Sequence, residues 1–506
     1  MNSAFKSTVL VTVYTLFGQL INFAAQIIVA YLFGAGVSMD AFNAALVLPQ
    51  YVTVALLGSL GFVFLPVFVG YVSSGMYEDA WRVVSSTINF SILFTGAIVL
   101  VGIIAPETTV RLVAPGLPEQ TRQIAARLSV ILWPSVLANC LIIILTAVHH
   151  SERKFGWPAL VAVIGAGAGL VVTILLAGTL GVVGFAIGTI AGLLVQVFLL
   201  APIAVHKGRY RFWLEWNHAG TQQVFRLLVP LVLASIFGKA TGVVERFLAS
   251  SLPEGSISHL AYALRLVNMI SLFFSSGVSV VVFQKMAADA NSDDLQALRR
   301  TLSIGIRYLW LLVAPVFAIG ISLSLPLVTI IFQRGQFDVQ DAVSVARLFQ
   351  VYMLSLAAAS LGNITARGFY VLKDTRTVAW MGGIESVFYI LYTTLLTKWL
   401  GILGIALGYV ILFNGSLVWQ SLLIAQKTGG LRGQTVTKSV LRTSLAAVTG
   451  GVLAWGVVQW VGGVWSQLLI GGSAGLIAYI LVLFGARSPE GQDMLVMLGK
   501  AVRVKA

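Results

Sequence analysis

The chain has 506 residues, 58% of them hydrophobic and only 10% charged, with a formal net charge of +14. A soluble domain carries roughly 25% charged residues, so composition excludes an ordinary soluble protein and points to an integral membrane one. The five histidines form no metal-ligand spacing, Cys140 stands alone, and no G-x-x-x-x-G-K-[ST] loop occurs, so no metal, cofactor or ATP chemistry is expected.

Apolar runs long enough to cross ~30 Å of hydrocarbon recur from end to end. In chain order they predict fourteen spans, at about 8–33, 42–70, 83–105, 126–148, 157–178, 181–205, 224–250, 258–284, 303–331, 343–371, 378–397, 401–425, 439–461 and 464–486. The first is too long for a signal-peptide core and reads as an uncleaved span. It carries an amide stripe, Gln19, Asn22 and Gln26, on one helical face. Such amides either bind sugar hydroxyls or hold helices together. Asp40 follows, as the expected N-cap of span 2, with an outer gate as its functional alternative. The segment near 106–125 is a candidate surface helix, and Cys140 reads as a small buried hydrophobe.

Span 7 holds Lys239, Glu245 and Arg246, and span 8 holds Arg265. Ionisable groups inside a span are functional candidates by default. Lys239 and Arg246 lie seven residues apart, two turns on one face of a continuous helix. Glu245 adjoins Arg246, so on a helix the two are not expected to face each other. Each cation costs ~2.5–3.5 kcal/mol on insertion scales. With only Glu245 and Glu385 (span 11) as nearby acids, the core reads as net cationic and suited to a phosphorylated head group. Asp40, Glu245 and Glu385 are the gate or ion-coupling candidates. Arg334-Gly335-Gln336-Phe337-Asp338 is expected to shape the turn between spans 9 and 10, and the histidines to be solvated or interfacial.

With the N-terminus inside, 23 of the 32 Lys and Arg fall on inner segments, six on outer ones, and three inside spans 7 and 8. This obeys the positive-inside rule. It predicts cytoplasmic N- and C-termini in a cell inner membrane, with a basic inner surface against anionic lipid and no nucleic-acid partner.

Leu180-Gly181-x-x-Gly184-x-Ala186-x-Gly188 returns as Leu400-Gly401-x-x-Gly404-x-Ala406-x-Gly408, and Ala126-Arg127-Leu128 as Ala346-Arg347-Leu348. A shared offset means duplication. It spans six helices, so the two halves are parallel repeats, an arrangement that usually places a substrate site at the repeat interface. The glycines read as packing positions rather than a phosphate loop. The expected architecture is an all-α membrane protein of about fourteen helices. It has a six-helix lobe at 1–222, a second at 223–430, and two further helices with a cytoplasmic tail at 431–506.

Phe33-Gly34-Ala35-Gly36-x-x-x-Asp40-Ala41-Phe42, Leu48-Pro49, Pro66 and Arg334-Gly335-x-Phe337-Asp338 resemble the MurJ/MviN lipid II flippases of the multidrug/oligosaccharidyl-lipid/polysaccharide exporter superfamily. So do Ala366-Arg367-Gly368-Phe369-Tyr370 and Lys373-Asp374-Thr375-Arg376-Thr377. The resemblance implies two six-helix lobes around a central cavity, alternating access, and a polyprenyl-diphosphate-linked sugar moved from the inner to the outer leaflet. It also implies cavity arginines on spans 1 and 2, where this chain has Gln19, Ala25 and Thr53. The family's Asp-Arg pattern on span 8 reads Leu264-Arg265.

These readings converge on a flippase for a lipid-linked glycan, with an exopolysaccharide precursor as the expected cargo and peptidoglycan lipid II as the alternative. The expected partners are that substrate, membrane lipids, and the glycosyltransferases or polymerase of the same pathway. A polyprenyl-linked glycan polymerase or ligase is the rival of another class. It needs positioned acid–base groups and a larger outer loop than any present. A cation-coupled drug exporter wants more intramembrane carboxylates than this core supplies.

Overall fold

Long apolar runs can satisfy their backbone inside hydrocarbon only by closing hydrogen bonds within each segment, and the chain does so. The computed structural model describes residues 3–205, 210–238, 240–291, 295–372, 374–430, 433–486 and 488–492. Among these there are helices and no strands.

The order is α1 (Ser3–Phe33), α2 (Val37–Val52), a π-helical turn (Thr53–Leu57), α3 (Gly58–Ser73), α4 (Tyr77–Ile104), α5 (Pro106–Val113), α6 (Glu119–Leu132) and α7 (Pro134–Ser151). Then come α8 (Gly156–Leu180), α9 (Val182–Leu200), α10 (Pro202–Val205), α11 (Ala219–Gly238), α12 (Thr241–Ala249), α13 (Ser256–Asn291), α14 (Leu295–Ser322) and α15 (Ser324–Phe332). The chain continues with α16 (Val339–Val371), α17 (Thr375–Leu400), α18 (Ile402–Thr428), α19 (Gly433–Trp460), α20 (Val464–Ser466), a second π turn (Gln467–Gly471) and α21 (Gly472–Gly485).

Among the described residues, eleven helices are long and apolar enough to cross a membrane. The other three expected spans are helical as well. Residues 224–250 are divided between α11 and α12, 258–284 lie in α13, and 378–397 lie in α17. The breaks have local causes. The π turn follows Pro49, and the Thr53 hydroxyl donates to the Pro49 carbonyl at 2.9 Å. Pro134 opens α7 directly after α6. The short helix α5 occupies the segment expected to hold a surface helix.

The described residues divide into two compact units, Met1–Ser258 with Arg334–Phe337, and His259–Gln333 with Asp338–Ala506. This division follows packing, whereas the expected boundary at 222/223 follows the repeat. In the first unit Phe64, Phe68, Val83, Val84, Val136, Cys140 and Ile144 form a buried cluster across α3, α4 and α7. Cys140 is the small buried hydrophobe its sequence context suggested. In the second unit α19 and α21 pack on α14 through Leu311, Ala314, Ala446, Ala447 and Tyr479, and the Tyr479 hydroxyl donates to the Leu311 carbonyl at 2.7 Å. Helices in lipid gain little from burying apolar surface and associate by close packing, which is why alanine and glycine dominate this seam.

The repeat is visible atom by atom. Gly181 (φ 54°, ψ −135°) turns α8 into α9, and Gly401 (φ 56°, ψ −132°) turns α17 into α18. Only glycine adopts this conformation without strain. A Cβ on Gly188 would collide with the Thr173 hydroxyl, and one on Gly408 with that of Thr393. A Cβ on Gly184 would strike Leu176, and one on Gly404 would strike Leu396. Each unit therefore holds its own copy of one helical hairpin, and the glycines serve packing as expected.

Candidate functional site

Asp40 is the most heavily engaged of the candidate residues. It is 4% exposed. One carboxylate oxygen accepts from the Gly255 N–H at 2.7 Å, and the other accepts from the Ser258 N–H at 2.8 Å and the Ser258 hydroxyl at 2.6 Å. The expectation that Asp40 caps its own helix is corrected. The N-cap of α2 is Gly36, with no side-chain cap. Asp40 lies one turn further along, so its carboxylate projects sideways and caps the start of α13 instead. That end of a helix carries unpaired N–H groups and partial positive charge. Asn43 donates to the Ser258 hydroxyl at 3.4 Å, and the Val37 N–H donates to Glu254 at 3.2 Å. The segment Glu254–Ser258 is thereby docked on the first turns of α2.

A second contact lies beside it. The Gln336 N–H donates to the Tyr31 carbonyl at 2.9 Å. Gly34 and Gly335 are where the two backbones approach: a Cβ on Gly34 would run into the Gln336 carbonyl, and one on Gly335 into that of Tyr31. Phe337 is buried. Asp338 then caps α16 in a reciprocal box with Asp341, so the Arg334–Asp338 stretch shapes its turn as expected and docks as well.

The intramembrane charges are arranged differently from the sequence expectation. Glu245 and Arg246 do face each other: Arg246 Nη1 lies 2.9 Å from Glu245 Oε2, with side chains 17% and 3% exposed. The long arginine side chain folds back round α12, and Nη1 also lies 3.4 Å from the Gly242 carbonyl one turn earlier. A buried carboxylate left unpaired costs several kcal/mol, which is enough to outweigh the unfavourable spacing of adjacent residues. Arg246 is thus neutralised locally. Lys239 lies outside the described residues. The two-turn register with Arg246 assumed one helix, but α11 ends at Gly238 and α12 starts at Thr241.

Arg265 is half-buried on α13. In the same unit His259 Nε2 lies 2.8 Å from Asp341 Oδ1. The expectation of a solvated or interfacial histidine is corrected there and at His149, which is 5% exposed and lies 3.3 Å from the Leu200 carbonyl. On α1, Gln19 and Asn22 are exposed and Gln26 is half-buried. Exposed amides on a membrane-crossing helix sit uneasily against lipid, so this face suits a polar surface.

Glu385 on α17 begins a polar chain within the second unit. Its carboxylate faces Ser416 on α18, the Gln420 amide donates to the Ser416 hydroxyl at 2.9 Å, and the Thr365 hydroxyl donates to Gln420 at 2.6 Å. Among the described residues, Glu385 Oε1 is buried and has no hydrogen-bond partner. Ser258, Asp341, Ser416 and Gln420 escaped sequence reasoning because each is a common residue type whose partner on another helix is far away in sequence. The helix-start pattern Pro253-Glu254-Gly255-Ser256 was the one available signal. Among the described residues no group of His, Cys, Asp and Glu could hold a metal ion.

The fold is similar to that of a solved structure titled "Lipid II flippase MurJ, inward closed conformation", with TM-score 0.78 and 21% identity, covering 94% of this chain and 98% of that one. It is also similar to an inward-facing multidrug resistance MATE family transporter of the MOP superfamily, with TM-score 0.71 and 15% identity, covering 84% and 99%. The chain is therefore a multi-pass membrane protein with a MurJ- and MATE-like transporter fold. The sequence profile described as Lipid II flippase MurJ matches residues 29–473, and the chain belongs to that family. A curated relative, the Lipid II flippase MurJ of Burkholderia cenocepacia, is 24% identical over 392 residues, 74% of each chain. Family membership makes the protein a transporter rather than an enzyme.

Proposed function

We propose that the protein flips peptidoglycan lipid II from the inner to the outer leaflet of the cell inner membrane by alternating access, with both termini cytoplasmic. The observation that carries this reading is the match to the lipid II flippase family over residues 29–473. It favours the alternative cargo over the exopolysaccharide precursor first expected from the sequence. The repeat-based lobes, 1–222 and 223–430, are the proposed moving bodies, with 431–506 as an appended pair of helices.

The proposed head-group residues are Arg265, Lys239 and the α1 amides Gln19, Asn22 and Gln26. Arg246 is held by Glu245, whereas Arg265 stands where the family pattern places an arginine. A diphosphate cannot enter hydrocarbon unaided, and a guanidinium grips it in bidentate fashion. Two negative charges leaving an inside-negative cell are favoured by ~4–5 kcal/mol per 100 mV, a drive that needs no ATP.

A second reading keeps a different lipid-linked glycan as cargo, because Gln19, Ala25 and Thr53 stand where the family carries arginines. One experiment separates the two. Expressed in cells depleted of their lipid II flippase, the protein is expected to restore growth, and Arg265→Ala to abolish the rescue at equal membrane abundance. Failure of the wild type to rescue, with surface exopolysaccharide restored in a matching export mutant, would transfer the assignment to the second reading.

A further inference from the structure

The pocket between α17 and α18 lies at the helix ends that the charge distribution assigns to the inner leaflet. It is an open groove of about 450 Å³ lined by Asp374, Arg376, Trp380, Ile384, Trp419 and Lys427, among others. Its charged rim is organised. Lys427 Nζ lies 2.7 Å from Asp374 Oδ2, and Asp374 also accepts from the Thr377 N–H at 3.1 Å and the Thr377 hydroxyl at 2.7 Å. The Lys427 ammonium and these Thr377 bonds hold the Asp374 carboxyl at about 2, so this pair stays ionised and mutually neutral at any physiological pH. Arg376 is exposed on the same rim and forms no ion pair among the described residues, so the described rim residues carry one net positive charge.

Below the rim the lining turns apolar. Arg376, Trp380 and Ile384 follow one face of α17 at four-residue spacing, as Trp419, Leu423 and Lys427 do on α18. Trp380 is 65% exposed, and the α17 surface continues into exposed Phe388 and Leu391. A cation and two tryptophans at the interface, above an apolar face that runs into the bilayer, match the layering of one phospholipid.

The first hairpin shows that folding does not require this set. Shifted by the repeat offset, Asp374, Arg376, Trp380 and Trp419 correspond to Lys154, Gly156, Leu160 and Leu199. The same scaffold is built there without the tryptophan pair or the arginine.

We propose that the α17–α18 pocket is a binding site for an anionic glycerophospholipid of the inner leaflet, its phosphate on Arg376, its glycerol region against Trp380 and Trp419, and one acyl chain along Ile384 and Leu423. The site is separate from the lipid II head-group residues.

The test reconstitutes the full chain in nanodiscs of equal parts phosphatidylcholine and phosphatidylglycerol and counts retained lipids by native mass spectrometry. The wild type is expected to retain phosphatidylglycerol in preference. Arg376→Gln is expected to lower that preference about fivefold, the effect of one surface cation, while Arg376→Lys preserves it and Arg111→Gln, on a segment that the charge distribution assigns to the outer side, changes nothing. An unchanged preference in Arg376→Gln overturns the proposal. So does displacement of the lipid by millimolar inorganic phosphate, which would make this a free-phosphate site. A second readout uses the wild type and one mild variant. Brominated phosphatidylglycerol should quench tryptophan emission more than brominated phosphatidylcholine, and Trp380→Phe should reduce the excess. Equal quenching by the two lipids also overturns the proposal.

Discussion

Asp40→Asn tests the docking of the α13 start on α2 directly. The carboxylate accepts three hydrogen bonds, two from backbone N–H groups and one from Ser258. Charge-assisted bonds contribute about 1.5–3 kcal/mol each and neutral ones about 0.5–1.5, so neutralising the group costs about 1 kcal/mol at each of the two Ser258 donors kept by the remaining oxygen. The amide NH₂ takes the place of the other oxygen and meets the Gly255 N–H donor to donor, which leaves that buried group unsatisfied at about 1–3 kcal/mol. The total, about 3–5 kcal/mol, corresponds to a hundredfold to few-thousandfold gain in the undocked population at ~1.4 kcal/mol per factor of ten. Hydrogen–deuterium exchange read on peptides covering Gly255–Ser258 reports that population. The expected result is exchange faster by at least two orders of magnitude there, with α3, α4 and α7 unchanged. Exchange within threefold of wild type would refute the assignment of Asp40 as the residue that holds this segment.

Three further outcomes follow from the same structure. Gly188→Ala and Gly408→Ala should each destabilise by about 1–3 kcal/mol through overpacking, whereas Gly178→Ala, with open space around it, should be neutral in thermal unfolding; unequal costs for the first two would argue against equivalent hairpins. The Arg307–Glu490 pair, 2.6 Å apart with Glu490 1% exposed, ties residues 488–492 to α14. Burial raises the Glu490 carboxyl, but its own backbone N–H, the nearby serines, Ser488 among them at 2.8 Å, and the Arg307 charge outweigh it and hold the group below its ordinary value. A depressed carboxyl adds stability above its unfolded value and loses it as pH falls through the folded one, so protease resistance at 488–492 should be full near neutrality and drop in acid below the ordinary glutamate range. Glu490→Gln should remove that pH dependence and cost about 3–5 kcal/mol locally.

The helices were legible because apolar length and charge asymmetry act locally, and each can be read in a window of about 20 residues. The hairpin turns were legible because Gly181 and Gly401 fill conformations that other residues avoid. The site was less so. Glu245 and Arg246 were read from the spacing of a helix face, while their pairing depends on burial, which no local pattern reports. Asp40 was correctly seen as a carboxylate beside a helix start. Which helix it caps is decided by a partner segment some 215 residues away, and nothing in the periodicity of either segment records that meeting.

The duplicated hairpin gives an internal control for Glu385. In the second copy Glu385 on α17 meets Ser416 on α18. In the first, the corresponding residues are Gly165 and Gln196, and they meet as well: a Cβ on Gly165 would collide with the Gln196 side chain. One copy fills the contact with an amide from the second helix, the other with a carboxylate from the first. Close packing is achieved both ways, so the hairpin does not need an acid. A carboxyl within a span is also the costlier choice, at about 2.5–3.5 kcal/mol when charged, and Oε1 is buried with no partner among the described residues. Glu385 is therefore our ion-coupling candidate, and the prediction separates that role from packing. Glu385→Gln keeps the side chain's size and its contact with Ser416 and should shift thermal unfolding by less than about 1 kcal/mol. It should also remove any response of flipping in proteoliposomes to an imposed proton or sodium gradient. A variant that flips with the wild-type gradient response would strip Glu385 of the coupling role and leave it as packing alone.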